Sequence, residues 1–217
     1  MTITFTLAAT LLSTLASALL AYPLSRANFI WRRQLNFYVY FTMLFSGGMV
    51  PSYLLMRNIL HIDDTIWVYI LPGLVSAYYV MIIRTSYRAI PDELIEAAKI
   101  DGAKELYICF KIIIPLSKAS IASVSFLFLV AKWNDWMTSM LYIRNPDLYS
   151  LQYLLQKLLR EAEALKNYSG IGLGNEILPT ETLRFAMALV AAGPVLVIFP
   201  YFQKYFTKGM TLGGVKG

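Results

Sequence analysis

Few side chains in this sequence have the type and spacing that chemistry requires. It holds one cysteine, Cys109, and one histidine, His61. Neither a disulfide framework, a CxxC metal site nor a histidine-based triad is therefore expected within the chain. The phosphate loop G-x-x-x-x-G-K-[ST] occurs nowhere, and Gly170, Gly172 and Gly174 in "GIGLGNE" have the wrong spacing to form one. Lys132 and Asp135 lie three apart in an apolar run, a spacing that lets them share a helix face and pair. No nucleophile–base or metal constellation emerges, so no catalytic residue, metal or cofactor is expected. What remains is a stretch suited to contact rather than bond-making. It is "EAAKIDGAKELYICFKIIIP", Glu96–Pro115, which is charged, helical and hinged at a glycine, between long apolar runs.

The elements that must position this stretch are membrane helices. Of the 217 residues, 58% are hydrophobic and 15% charged, against about 45–50% and 25% in soluble domains. The mean hydropathy is +0.56. A helix needs about 20 mostly apolar residues to cross a bilayer. Runs of that kind predict five transmembrane helices, at about 3–22, 35–56, 65–83, 119–139 and 185–202, in a single all-α membrane domain covering 1–217. Gly47, Gly48, Pro51, Pro72, Gly73, Gly193, Pro194 and Pro200 fall within these runs. Such residues serve a translocation pathway with kinked, movable helices, and they are also ordinary in membrane helices.

Lysine and arginine accumulate on the cytoplasmic side of membrane proteins. The larger share here is Arg26, Arg32 and Arg33 in the first loop, Arg84 to Lys118 around the Glu96 stretch, and Lys204, Lys208 and Lys216 in the tail. The smaller share is Arg57, Arg144, Lys157, Arg160, Lys166 and Arg184. The first loop, the 88–115 loop and the C-terminus are therefore expected in the cytoplasm. The net charge of +6 is read as topological, with no nucleic-acid partner. Five spans with the tail inside place the N-terminus outside, which a preceding helix absent from this sequence would explain.

Within the 88–115 loop, Pro91 suits a first helical position, and Asp92 and Glu93 favour the first turn of a helix. "ELIEAAKI" continues the helix to a turn signal at Asp101-Gly102, and "AKELYICFKIII" forms a second helix up to Pro115. Ala97, Ala98 and Ala103 beside Gly102 let another surface approach the backbone. Leu94, Ile95, Tyr107 and Phe110 supply apolar contacts. The pattern fits a docking knob, and it equally fits an amphipathic helix lying on membrane lipid with its lysines facing anionic headgroups.

Glu96, Ala97, Ala98, Asp101, Gly102, Ala103, Phe110, Ile113 or Ile114, and Pro115 resemble the EAA loop of permease subunits of binding-protein-dependent ABC importers. Leu106-Tyr107 stands where an aromatic or Trp is often seen. "SALLAYPLSR", "GGMVPSYLL", "KWNDWMTSMLYIRNPDLYSLQYLL" and the ending "TLGGVKG" extend the resemblance to carbohydrate permeases of the MalG and LplC type. The resemblance implies a type I ABC importer permease fold, usually with six spans, in a prokaryotic cell membrane. It implies that the EAA motif forms a coupling helix docked on a partner ATPase subunit, through Glu96, Ala97, Ala98, Asp101, Gly102, Ala103, Leu106 and Phe110. It further implies a second permease subunit and an extracytoplasmic solute-binding protein that delivers a sugar or oligosaccharide.

Lys132 stands about 20 Å above Ser117 at 1.5 Å per residue, near the outer interface, where Trp133 and Trp136 fit an aromatic belt. Trp133, Asn134 and Asp135 are the candidates for a pathway or gate. "SLQYLLQKLLREAEALK" reads as an amphipathic helix on the outer face. The competing readings are an ABC permease for a non-sugar solute and a secondary transporter. The latter usually shows repeated halves and mid-membrane ionisable groups, and neither is clear in the sequence.

Overall fold

A computed structural model of the chain describes residues 1–169 and 180–209. The "GIGLGNE" loop and the terminal "TLGGVKG" lie outside the described residues. Everything described is helix, turn or loop, with no strand among the described residues. Helix α1 (Thr2–Ser25) is the centre of the molecule. One side of it, Phe5, Ala9, Ser13, Ser17, Ala18, Ala21 and Leu24, is buried. Leu7, Leu11 and Leu15 on the opposite side are exposed, as suits a lipid-facing surface.

After α1 the chain does not run in straight rods. Helix α2 (Arg32–Leu44) stops before Gly47-Gly48, and α3 (Met49–Leu54) continues through a π-turn at Leu55–Ile59. The two pieces are bent by 108°. Gly48 makes the bend possible: its φ of +89° lies in the left-handed region that glycine enters at no steric cost. The expected span at 65–83 is likewise two helices, α4 (Trp67–Ile70) and α5 (Ala77–Arg88). Pro72, which has no N–H to donate to a helix, stands between them.

Next come α6 (Asp92–Ile100), α7 (Glu105–Ile108), a π-turn at Cys109–Ile113 and the short α8 (Ile114–Leu116). The π-turn ends two residues before Pro115, which has no N–H to donate to the preceding turn. At Ser117 the chain bends by 79° into α9 (Lys118–Trp133). The expected span 119–139 thus ends at Trp133, and a new helix, α10 (Met137–Tyr142), starts after Asn134-Asp135. A 3-10 turn (Pro146–Leu148), α11 (Leu151–Ser169) and α12 (Thr180–Gly209) complete the described chain.

Helix α1 packs against α5 and α9, and α12 packs on the far side of α9. By length and composition, Thr2–Ser25 and Glu181–Tyr205 can each cross a membrane, and the two bent pairs raise that number to four.

Candidate functional site

The EAA stretch folds as a helix, a closed turn and a second helix. Its turn is a Schellman motif. The Gly102 N–H donates to Lys99 O at 3.0 Å and the Ala103 N–H to Ala98 O at 2.9 Å, the two bonds that close a helix through a left-handed residue. Gly102 supplies that residue with φ +82°. A Cβ built on it would meet nothing within 4 Å, so glycine is required by the backbone and not by crowding.

One side of the helix pair is fixed to the bundle. Ile95, Ile108, Cys109 and Ile113 are at most 4% exposed and join a core with Ala21, Tyr22, Leu24, Val80, Ile83 and Tyr87. Burying an aliphatic side chain of this size contributes about 1.5–3 kcal/mol, so the inner face is held firmly. Polar contacts add direction. Glu105 accepts hydrogen bonds from the Tyr22 hydroxyl at 2.5 Å and from the Lys99 ammonium at 2.6 Å. Lys99, and then Tyr22, hold the Glu105 carboxyl below the usual carboxylate range. Arg26 donates to Tyr87 O at 3.1 Å and lies 3.5 Å from Asp92. A cavity of about 400 Å³ opens between this first loop and α6, lined by Arg26, Glu96, Lys99 and Glu105 among others.

The other side is open. Glu96, Ala97, Asp101 and Gly102 are exposed, while Ala98 and Ala103 are half-buried beneath them. Ile100 is 86% exposed, Leu106 70%, Tyr107 57% and Phe110 46%. A recess of about 530 Å³ lies beside the bend, floored by Ala98, Gly102, Ala103 and Tyr107. The structure therefore gathers the expected residues onto one accessible knob with a rigid base. Tyr22, Arg26, Lys99 and Glu105, which hold that base, are not part of the sequence-level site. Tyr22 and Glu105 are 83 positions apart. Lys99 and Glu105 flank the bend, so their pairing is visible only once the turn is built. Cys109 is buried, and burial pushes its thiol up.

The second candidate cluster is arranged differently from its sequence reading. Lys132 and Asp135 form no ion pair. The Lys132 ammonium donates to Tyr69 O at 2.8 Å, at the broken end of α4, where a cation suits the helix carbonyls. Asp135 instead caps α10, accepting from the Thr138 N–H at 3.0 Å and the Thr138 hydroxyl at 2.7 Å. A side chain that caps the next helix has no reach left for the residue three before it. Trp133 is 6% exposed and donates to Ala191 O of α12 at 2.8 Å. It does not belong to an exposed aromatic belt, because its indole N–H is committed to a helix–helix contact. Asn134 is exposed, with its amide returned to Val130 O at 2.9 Å.

A polar network unseen in the sequence lies nearby, in which Tyr69, Ser139 and Ser150 bond to one another and to Leu148 O and Asp135 O. Asp64 closes the adjoining loop by accepting from the backbone N–H groups of Asn145 at 2.8 Å and Arg144 at 2.9 Å, which lower its pKa. His61 and Asp64 both take positive φ there.

Comparison with known proteins gives one consistent result. Residues 6–212 match the sequence model of the family described as binding-protein-dependent transport system inner membrane component. The chain is 40% identical over 213 residues to the polygalacturonan/rhamnogalacturonan transport system permease protein YtcP of Bacillus subtilis (strain 168), covering 98% of this chain and 74% of that protein. It is 37% identical over 201 residues to Protein LplC of the same organism, covering 91% of this chain and 66% of that one. The crystal structure of a bacterial ABC transporter involved in the import of the acidic polysaccharide alginate superposes with a TM-score of 0.78 at 29% identity. That match covers 94% of this chain and 73% of the other. The chain therefore shares the fold of that transporter chain, and it belongs to the binding-protein-dependent transport system inner membrane components, the permease subunits of ABC importers.

Proposed function

We propose that this chain forms one half of the membrane pore of an importer for a sugar or oligosaccharide, driven by ATP hydrolysis on a partner chain. The first loop, the 88–115 loop and the C-terminal tail lie in the cytoplasm. A second permease subunit completes the pore, and an extracytoplasmic binding protein delivers the solute. The sugar assignment is supported by the relatives, whose names concern polygalacturonan, rhamnogalacturonan and alginate. The coupling assignment rests on one observation: the EAA helix pair is rigid on its inner face and bare on its outer face.

In this reading Leu106, Tyr107 and Phe110 enter a cleft on the ATPase subunit, and Ala97, Ala98 and Ala103 let its surface come close. Glu96 and Asp101 are polar contacts at the rim. Movement of the ATPase is then passed to α1 through Glu105 and Tyr22, and to α5 through the buried core around Tyr87. Asn134, exposed at the end of α9, is assigned to the pathway. The test is a pull-down from mild detergent with the ATPase and second permease co-expressed. Gly102→Asp adds charge and strains the left-handed bend, whereas Leu106→Glu adds charge on the exposed apolar face and leaves the bend intact. Wild type should retain the ATPase, and both variants should lose it while keeping the second permease. Retention of the ATPase by both variants would exclude this surface as the docking site.

A further inference from the structure

Where α1, α2 and α5 end on the side of the first loop, a separate cavity of about 490 Å³ is lined by Arg32, Arg33 and Arg84, with Ala27, Phe29 and Asn36. Its charge is uncompensated. Arg26, next to it, is matched by Asp92. Among the described residues, however, no carboxylate lies within 4.0 Å of Arg32, Arg33 or Arg84. Arg84 meets the Tyr40 hydroxyl, which hydrogen-bonds it, and the cations Arg88 and Arg32. The cluster is built and not incidental. The Arg84 Nε donates to Leu24 O at 3.0 Å, which ties α5 to the end of α1, and the buried Asn36 amide donates to the same carbonyl at 3.5 Å, which ties the start of α2 there as well. Three guanidiniums around one cavity are a fork-shaped receptor for a phosphate-type anion.

The surface that continues from the cavity identifies the source of that anion. Arg33, Phe37, Phe41 and Phe45 follow at intervals of four along α2 and its C-cap, so they share one face. The three phenylalanines form a ladder with ring centroids 6.2 Å and 4.5 Å apart, and Phe37 is 71% and Phe45 64% exposed. From Arg33 to Phe45 is about 18 Å at 1.5 Å per residue, close to the half-thickness of a hydrocarbon core of about 30 Å. Ile30, 86% exposed, and Trp31, 62% exposed, flank the cavity at the level where Trp favours the headgroup region. A basic socket followed by an apolar ladder of leaflet depth has the shape of one phospholipid.

We infer that the Arg32–Arg33–Arg84 cavity holds the headgroup of an anionic phospholipid whose acyl chain lies along the Phe37–Phe41–Phe45 face. Its assignment to the inner leaflet rests on the cytoplasmic placement proposed above, whereas the headgroup site itself does not. Bound there, the lipid would lock the first loop against α5, next to the Arg26–Asp92 contact of the coupling pair.

The test is native mass spectrometry of the full chain in detergent, titrated separately with dioleoylphosphatidylglycerol, dioleoylphosphatidylcholine and inorganic phosphate. Wild type should bind phosphatidylglycerol more tightly than phosphatidylcholine. The Arg32→Gln, Arg33→Gln double variant should lose about fivefold in affinity per arginine, the factor that about 1 kcal/mol per basic residue gives. The Arg32→Lys, Arg33→Lys variant, which keeps the charge but loses the fork, should restore part of it, which separates charge from misfolding. Equal binding of the two lipids, or an unchanged affinity in the glutamine variant, overturns the site. Phosphate binding as tight as the lipid's overturns the lipid assignment. The readout involves neither orientation nor transport, so a negative result here leaves the importer reading standing.

Discussion

Glu105 shows how one carboxylate can join three helices. It ties α7 to α6 through Lys99 and to α1 through Tyr22. The Lys99 and Glu105 side chains are 43% and 57% exposed, so their ion pair alone adds at most about 1 kcal/mol. Its value is directional. The Glu105 pKa is lowered in the folded protein, so its contribution is complete above the unfolded-state value and is lost as the pH falls through the folded one. The tether is therefore intact at neutral pH and weakens only in acid, below the ordinary carboxylate range. Glu105→Gln should raise hydrogen exchange of the 92–116 segment about two- to fivefold at neutral pH and remove its acid-side loosening. Identical acid profiles for wild type and variant would show that Glu105 is not the tether. The helix pair and its bend were legible in sequence because a helix, its Schellman glycine and its exposed face are all local. The Glu105–Tyr22 bond was not, since no local pattern joins residues 83 apart.

At the scale of elements, composition located the apolar runs, and glycine and proline within them marked two of the places where they break. Apolar content is the same whether a run is one rod or two pieces. The breaks are set by single residues: Gly48 at φ +89°, Pro72 between α4 and α5, and Asp135 capping α10 so that α9 must end. The same holds where α9 meets α12. Pro194 has no N–H, which leaves the carbonyl of Val190 without its helix partner. At the next carbonyl, Ala191 O, the Trp133 indole donates from α9, while Phe126 packs at a tilt against Phe199 and Phe202 further along. Trp133 thus fastens α12 beside Pro194, where the helix lacks one of its own hydrogen bonds. Trp133→Phe keeps the aromatic bulk and removes the donor. It should lower stability by about 1 kcal/mol, a fall of about 2–4 °C in thermal midpoint for a chain of this size. Asn134→Ala, at an exposed neighbour, should leave the midpoint unchanged. If the two variants behave alike, the indole bond does not hold α12.

For the whole molecule, the membrane class, the helical fold and the family were legible from the sequence, because hydropathy and the EAA stretch carry them directly. Orientation was inferred only from the distribution of lysine and arginine, and it decides the function. The docking knob must face the compartment that contains ATP. The protein offers a clean way to test this, because its single cysteine, Cys109, is 1% exposed and burial raises its thiol pKa, so it stays silent towards a thiolate-seeking reagent. Single cysteines can therefore be added to the otherwise native chain at exposed positions. Glu93→Cys lies in α6 before the knob, and Asp147→Cys lies in the 3-10 turn beyond α9. A membrane-impermeant maleimide should label Asp147→Cys in right-side-out vesicles and Glu93→Cys only in inverted ones. Labelling of both from one side would mean that α9 does not cross the bilayer, and the bundle would need a different topology. The reverse pattern would leave the knob outside, away from ATP. The coupling role of Leu106, Tyr107 and Phe110 would then fall, whatever the family's other members do.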